Sequence, residues 1–320
     1  MKAAATRALA RHPVAAFLLI GNGVMLAADL GRPRGDEILP FDLPLFAAIG
    51  GILGVALAAF LVTGATAGRA GVVDLLRRTF RWRVPLRWYL LALLGVPVAA
   101  TLLAAAIYGG EALSSPPGGW PKAVAGVVAV FALQLVLFQL AEEIGWTGFL
   151  QNRWQDRYSP LRLSVYVAFL WAVWHVPDFF ADEGWGLAQL AVAPLFLAVE
   201  FVALFFARVL IVWLYERTGR SILLVAIFHA SFDASINKLS PHIVPGSNTA
   251  RFLLFSAVIV VAATAVIILT RGRFAGRRIH QFESGVSRGS EGARRNRRPA
   301  QSRTMRQPAR SPLEAERNLP

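Results

Sequence analysis

The sequence predicts an all-α polytopic membrane protein with about eight transmembrane helices and a polar site inside the membrane. Of its 320 residues, 56% are hydrophobic and only 16% are charged, whereas a soluble domain has about 25% charged residues. Apolar runs of about 20 residues, long enough to cross a bilayer, recur along the chain. Some of these runs contain ionisable side chains, which cost about 2.5–3.5 kcal/mol each at bilayer depth and therefore indicate a functional site.

Eight apolar segments are predicted to span the membrane. They are residues 13–28, 43–64, 87–109, 122–150, 162–180, 187–214, 220–237 and 252–270. These spans divide the chain into an N-terminal part with three helices (1–120), a central part that holds the polar residues (121–240), a last helix (241–270) and a tail (271–320). The chain has no cysteine, which excludes disulfides, thiolate metal ligands and cysteine nucleophiles.

Basic residues alternate between the predicted loops, as the positive-inside rule requires. Arginines precede the first span and follow the second, fourth, sixth and eighth, whereas the other loops are acidic or sparsely charged. The sequence therefore predicts a multi-pass plasma-membrane protein with both termini in the cytoplasm. A signal peptide cleaved near Ala27 and Ala28 is the alternative, and it would leave seven spans with the N-terminus outside.

The tail, residues 271–320, is rich in Arg, Ser, Gly and Pro and has no apolar periodicity. It accounts for much of the net charge of +14. We expect it to be disordered and to lie against anionic lipid of the bilayer. Nucleic acid is not an expected partner, since nothing in the tail resembles a folded nucleic-acid reader.

The candidate site consists of ionisable residues in three of the predicted spans. They are Glu142, Glu143, His175, His229 and Asp233. A helical rise of about 1.5 Å per residue, counted from the flanking arginines, puts four of them roughly 14 to 20 Å into the membrane. His229 and Asp233 are four residues apart and share a helix face. Glu142 and Glu143 lie about 100° apart, so we expect one to do chemistry while the other supports it.

These residue types suit the activation of water. A carboxylate beside an imidazole in a dry pocket can act as a general base, and a second His with an Asp can hold a developing oxyanion. Neutral His and carboxylates also suit Zn²⁺, so a metal site at Glu142, His175 and His229 and a metal-free site both stay open. Trp171, four residues before His175, is expected to wall the imidazole, and Glu200 in the sixth span is a candidate for the same cavity.

Three short motifs carry the candidate residues. They read Glu142-Glu143-Ile-Gly-Trp-Thr-Gly-Phe-Leu150, Trp171-Ala-Val-Trp-His175 and His229-Ala-Ser-Phe-Asp233. This order and spacing resembles the E-E-x-x-x-R, F-x-x-x-H and H-x-x-x-N/D pattern of the CPBP intramembrane proteases, the CAAX prenyl protease and bacteriocin-processing (Abi) proteins. The resemblance covers residues 121–240 and identifies them as a CPBP-like catalytic core.

The resemblance implies a role for each residue. Glu142 would activate water with the help of His175, His229 and Asp233 would serve the oxyanion, and Glu143 would be the supporting carboxylate. It also implies an intramembrane endopeptidase of metallo- or glutamate type. The implied substrate is a membrane-borne or lipidated peptide or protein.

Two positions depart from the family pattern. Thr147 stands where the family usually has Arg, which leaves Glu143 without an obvious partner, and Trp171 replaces Phe. The Thr favours one alternative, a non-catalytic membrane scaffold or bacteriocin-immunity factor. Another alternative is a proton-coupled transporter, in which buried Glu and His form relays, although no internal repeat is evident.

Overall fold

The computed structural model describes residues 10–30, 54–183 and 186–274, and in these residues the chain is helical without a β-strand. The helical segments are α1 (Pro13–Leu30), α2 (Gly54–Thr79), α3 (Leu86–Leu113), α4 (Gly119–Trp154), α5 (Pro160–Trp174), α6 (Val176–Glu183), α7 (Leu187–Arg217), α8 (Ile222–Ile243) and α9 (Asn248–Thr270). The predicted all-α fold is confirmed.

Six helices, α2, α3, α4, α7, α8 and α9, are long and apolar enough to cross a membrane, and α1 and α5 are shorter apolar helices. Large apolar side chains are exposed along them, among them Leu102, Val128, Leu195 and Leu269. Such a surface is expected where helices face hydrocarbon. The chain is therefore a multi-pass membrane protein, while the plasma membrane and the cytoplasmic position of both termini stay predictions.

Helix α2 ends later than the hydropathy predicts. Of the predicted span 43–64, residues 43–53 lie outside the described residues, and the helix then continues to Thr79 with a kink at Gly68 (φ 60°, ψ −159°). Beyond the kink Leu75 and Arg78 are buried. Packing of this second, amphipathic half against the bundle extends the helix past its apolar run.

The fifth predicted span, 162–180, is interrupted at His175. Helix α5 ends at Trp174 and α6 begins at Val176, and His175 between them has φ −81° and ψ −8°. Pro177 follows two residues later. It has no N–H to continue the helical hydrogen bonds, and it restricts the residue before it. The break places His175 at the C-terminal end of a helix rather than in its middle.

Helix α4 contains two wide π-helical segments, Leu135–Gln139 and Ile144–Gln151. Between them lies the short α-helical stretch Leu140–Glu143. Segments of this kind are rare and occur often at functional sites. Neither was predicted from the sequence.

The second π segment packs closely against its neighbours. A Cβ at Gly145 would overlap the side chain of Val55 in α2, and one at Gly148 would lie 2.7 Å from Ile222 Cδ1 and 2.8 Å from Leu75 Cδ1. Only residues without a side chain allow α2 and α8 to approach this far. The glycines therefore fix the helix that carries Glu142 against two others.

The remaining contacts enclose the middle of the bundle. Helix α5 packs along α7, α7 packs on α9, and α8 packs on α3 and α4. The helices with the three motifs, together with α7, therefore surround one volume. Residues 275–320 of the predicted tail lie outside the described residues, and the division into four parts stays a prediction.

Candidate active site

Glu143 is the most deeply buried of the predicted site residues and the best connected. Its side chain is fully buried. It accepts a hydrogen bond from the Thr147 hydroxyl one turn along α4. Its Oε2 lies 3.3 Å from Arg208 Nη1 of α7, and its Oε1 lies 3.1 Å from His229 Nδ1 of α8. Glu143 therefore joins three helices.

Arg208 is a residue of this site that the sequence analysis missed. It is fully buried, and its Nη1 donates to Thr147 Oγ1 at 2.9 Å as well as to Glu143. Its guanidinium also lies over the Trp171 ring, 4.4 Å from the centroid. The expectation that Thr147 leaves Glu143 without a partner is thus wrong, because another helix supplies the cation.

A signal for Arg208 was present in the sequence. An arginine within the apolar run of residues 197–214 is as anomalous as Glu200, eight residues before it. The sequence could not show that this arginine would face Glu143. The distance along the chain is 65 residues, and helix packing alone decides which residues meet.

Glu142 has different surroundings from its neighbour. Its Oε2 accepts a hydrogen bond from Trp171 Nε1 of α5 at 3.0 Å. Trp171 also approaches the predicted imidazole, with ring centroids 5.8 Å apart from His175, and packs edge-on to His229 at 5.1 Å. Trp171 thus walls the imidazole as predicted, and its indole N–H gives Glu142 a donor that a Phe would lack.

His175 lies in the same pocket as Glu142, but within the described residues no hydrogen bond or ion pair joins the two. Its Nδ1 lies 3.1 Å from the Trp171 carbonyl oxygen and 3.7 Å from Glu200 Oε1 of α7. Glu200 therefore belongs to the site, as its place in the sixth predicted span suggested.

His229 and Asp233 are brought together on one face of α8, as the four-residue spacing predicts. His229 Nε2 lies 3.7 Å from Asp233 Oδ2, while Nδ1 faces Glu143. Asp233 accepts a hydrogen bond of 2.5 Å from Gln139 Nε2, in the first π segment of α4. Gln139, a buried amide in an apolar run, is a second site residue that the sequence analysis missed.

These side chains line a pocket of about 170 Å³ enclosed by α4, α5, α7, α8 and α9. Its polar lining consists of Glu142, Trp171, His175, Glu200, His229 and Asp233. Glu143 is not part of that lining, so the two adjacent carboxylates point to different places, as expected. A larger apolar cavity of about 500 Å³ between α7, α8 and α9 shares Glu200, Leu204 and Phe232 with the pocket.

The arrangement does not fit a metal ion well. Within the described segments, no group of three or more His, Asp and Glu side chains could hold one. Both ring nitrogens of His229 face carboxylate oxygens, and Nδ1 of His175 faces a carbonyl oxygen. The Zn²⁺ set of Glu142, His175 and His229 stays a prediction from the sequence, and no step below passes through a metal.

Comparison with known proteins finds a matching family model and a similar protease. Residues 124–235, which contain Arg208 and all five predicted site residues, match the family model described as Rce1-like, type II CAAX prenyl endopeptidase. Over 189 residues the chain is 24% identical to the CAAX prenyl protease 2 of Methanococcus maripaludis, and the alignment covers 56% of this chain and 67% of that protein.

Proposed function

We propose that this protein is an intramembrane endopeptidase that uses Glu142 to activate water. Residues 124–235, which match the Rce1-like family model, are the part of the chain that would form its CPBP-type catalytic core. Protease activity at the level of the family is supported by the family match and by the similarity to a CAAX prenyl protease. The main support for giving the catalytic roles to particular residues is the pocket. Three helices that are separate in sequence direct Glu142, His175, His229 and Asp233 into one small volume.

In the proposed reaction a water molecule in the pocket attacks the carbonyl carbon of the scissile peptide bond. Glu142 takes one proton from this water, and His175 accepts a hydrogen bond from the other. The new C–O bond makes a tetrahedral oxyanion. Glu142 then gives its proton to the amide nitrogen as the C–N bond breaks, so that a carboxylic acid and an amine leave and Glu142 is regenerated.

His229 is the proposed donor to the oxyanion. Carboxylates of Glu143 and Asp233 lie on its two sides, and this suits a ring that carries protons on both nitrogens. Glu143 holds the ring through Nδ1, and this directs Nε2–H into the pocket, where the oxyanion would form. A preorganised donor of this kind contributes about 2.7–4 kcal/mol to transition-state stabilisation.

The proposed substrate is a membrane-borne or lipidated peptide or protein. The relative from M. maripaludis is named a CAAX prenyl protease, and the pocket adjoins an apolar cavity with room for a hydrocarbon chain. Arg208 also bears on the scaffold alternative, which depended on Thr147. A cation does lie beside Glu143, which supports an enzyme rather than a scaffold.

The test uses full-length protein purified in detergent and an internally quenched peptide ending in a farnesylated CAAX sequence, beside geranylgeranylated and unlipidated versions. We expect the wild type to cleave the lipidated peptides and Glu142→Gln to lose about 10²–10⁴-fold in kcat. Glu111→Gln is the matched control, because it removes a carboxylate from the segment Gly109–Leu113, away from the pocket lining. Cleavage by Glu142→Gln at the wild-type rate, or no cleavage of any peptide by the wild type, would overturn the proposal.

A further inference from the structure

Glu200 is a charged group of the pocket that none of the three motifs contains. It lies on α7, and its Oε1 is 3.7 Å from His175 Nδ1. The two side chains are 26% and 23% exposed, so both are largely withdrawn from solvent. Elsewhere in the described chain Glu200 makes no ion pair, so the ring of His175 is its partner in the pocket.

The backbone of α5 favours one of the two tautomers of neutral His175. The Trp171 carbonyl oxygen is 3.1 Å from His175 Nδ1. A carbonyl oxygen can only accept a hydrogen bond, so this contact favours the tautomer in which Nδ1 carries the hydrogen and Nε2 keeps the lone pair. Glu200 approaches the same Nδ1–H, and its negative charge favours the same tautomer.

The other carboxylates of the site have different partners. Glu142 accepts from Trp171, Asp233 accepts from Gln139, and Asp233 also lies beside His229. Glu143 is paired with Arg208. Among the described residues, Glu200 is therefore the carboxylate that lies within ion-pair distance of His175.

We infer that Glu200 is a positioning residue that acts through His175: it holds the imidazole as the Nδ1–H tautomer and makes Nε2 a stronger acceptor for the attacking water. This inference rests on the proposed function for its effect on rate. In the Ser-His-Asp triad a carboxylate holds the catalytic imidazole in the same way, from the ring nitrogen that does not face the substrate. Glu200 itself need not touch the reacting atoms.

The first test is kinetic, with the farnesylated quenched peptide. Glu200→Leu removes charge and acceptor and suits the apolar lining around it, while Glu200→Gln keeps the shape and one acceptor oxygen. We expect kcat to fall about 10- to 100-fold in the Leu variant and less in the Gln variant, with KM nearly unchanged. A rise in KM alone, or an unchanged kcat in both variants, would overturn the inference.

A double-mutant cycle separates action through His175 from an independent role. In a His175→Gln background, Glu200→Leu is expected to cost no further activity, because the group through which it acts is already gone. An equal loss in both backgrounds would show that Glu200 works independently, and would overturn the inference. A wild type that cleaves nothing is a failure of the proposed function instead.

A second measurement does not depend on activity. The chain has only 5 histidines, so ¹⁵N-histidine labelling in detergent gives few resonances, and the His175→Gln spectrum assigns the one in question. We expect His175 to be the Nδ1–H tautomer in the wild type and a mixture of tautomers in Glu200→Leu. An unchanged tautomer in a folded Glu200→Leu protein would overturn the inference even if no substrate were found.

Discussion

Glu142 and Glu143 are adjacent in sequence but occupy two different environments. Glu143 is fully buried and is bound by Arg208 and His229 from two other helices. Glu142 lines the pocket, and the one hydrogen bond that the described residues give its side chain comes from Trp171. The two carboxylates therefore differ in what they contact: Glu143 ties three helices together, and Glu142 faces the pocket.

Neutralising each carboxylate in turn tests whether Glu142 and Glu143 have separate roles, and the largest effects are expected here. Glu143→Gln leaves Arg208 buried without a counter-charge, and we expect it to lower the free energy of unfolding by about 3–5 kcal/mol. Glu142→Gln is expected to change that free energy by less than about 1 kcal/mol while it lowers kcat about 10²–10⁴-fold. Equilibrium unfolding by SDS titration in mixed micelles measures both. Equal destabilisation by the two variants would show that the division of roles is wrong.

Moving the arginine from position 208 to position 147 tests whether stability requires a cation beside Glu143, regardless of the helix that carries it. Arg208→Leu is expected to cost about 3–5 kcal/mol, because Glu143 then remains buried and unpaired. Adding Thr147→Arg puts a guanidinium one turn from Glu143 and is expected to restore more than half of that loss. Thr147→Arg alone is the control and should destabilise the protein, since two cations would then face one carboxylate. A double variant no more stable than Arg208→Leu would contradict the prediction.

Features that depend on residues close together in the sequence could be predicted, whereas contacts between separate helices could not. Helix positions follow from local hydropathy, and the pairing of His229 with Asp233 follows from their four-residue spacing. Arg208 and Gln139 stand out only as polar residues in apolar runs, and their partners on other helices are chosen by packing. The π segments of α4 are also a result of packing, since no residue pattern demands the wider turn.

The Trp171 N–H donates a hydrogen bond to Glu142, and removing this N–H should lower the rate of cleavage. We expect Trp171→Phe to lower kcat about 10- to 150-fold, because a hydrogen bond to a charged group contributes about 1.5–3 kcal/mol and 1.36 kcal/mol corresponds to tenfold. Trp174→Phe is the matched control on the same helix, since the described residues offer its buried Nε1 no hydrogen-bond partner. A similar loss of kcat in both variants would assign the effect to ring size rather than to the N–H.

The smallest expected effect is in the π segment of α4 that follows Glu143 in the sequence. A methyl group at Gly148 would lie 2.7 Å from Ile222 Cδ1, and we expect Gly148→Ala to lower the free energy of unfolding by about 1–3 kcal/mol through overpacking. Gly126→Ala is the matched control in the same helix, because nothing lies within 4 Å of its Cβ position, and it should leave stability equal or raise it by up to about 1 kcal/mol.

The kinetics of Gly148→Ala then decide whether the two environments are independent. If the wide turn only holds α4 against α2 and α8, the folded variant should keep its kcat on the farnesylated peptide while it unfolds more easily. If kcat falls together with stability, the π segment also sets the direction of Glu142. In that case the carboxylate that joins the helices and the carboxylate that faces the pocket are mechanically coupled through one turn.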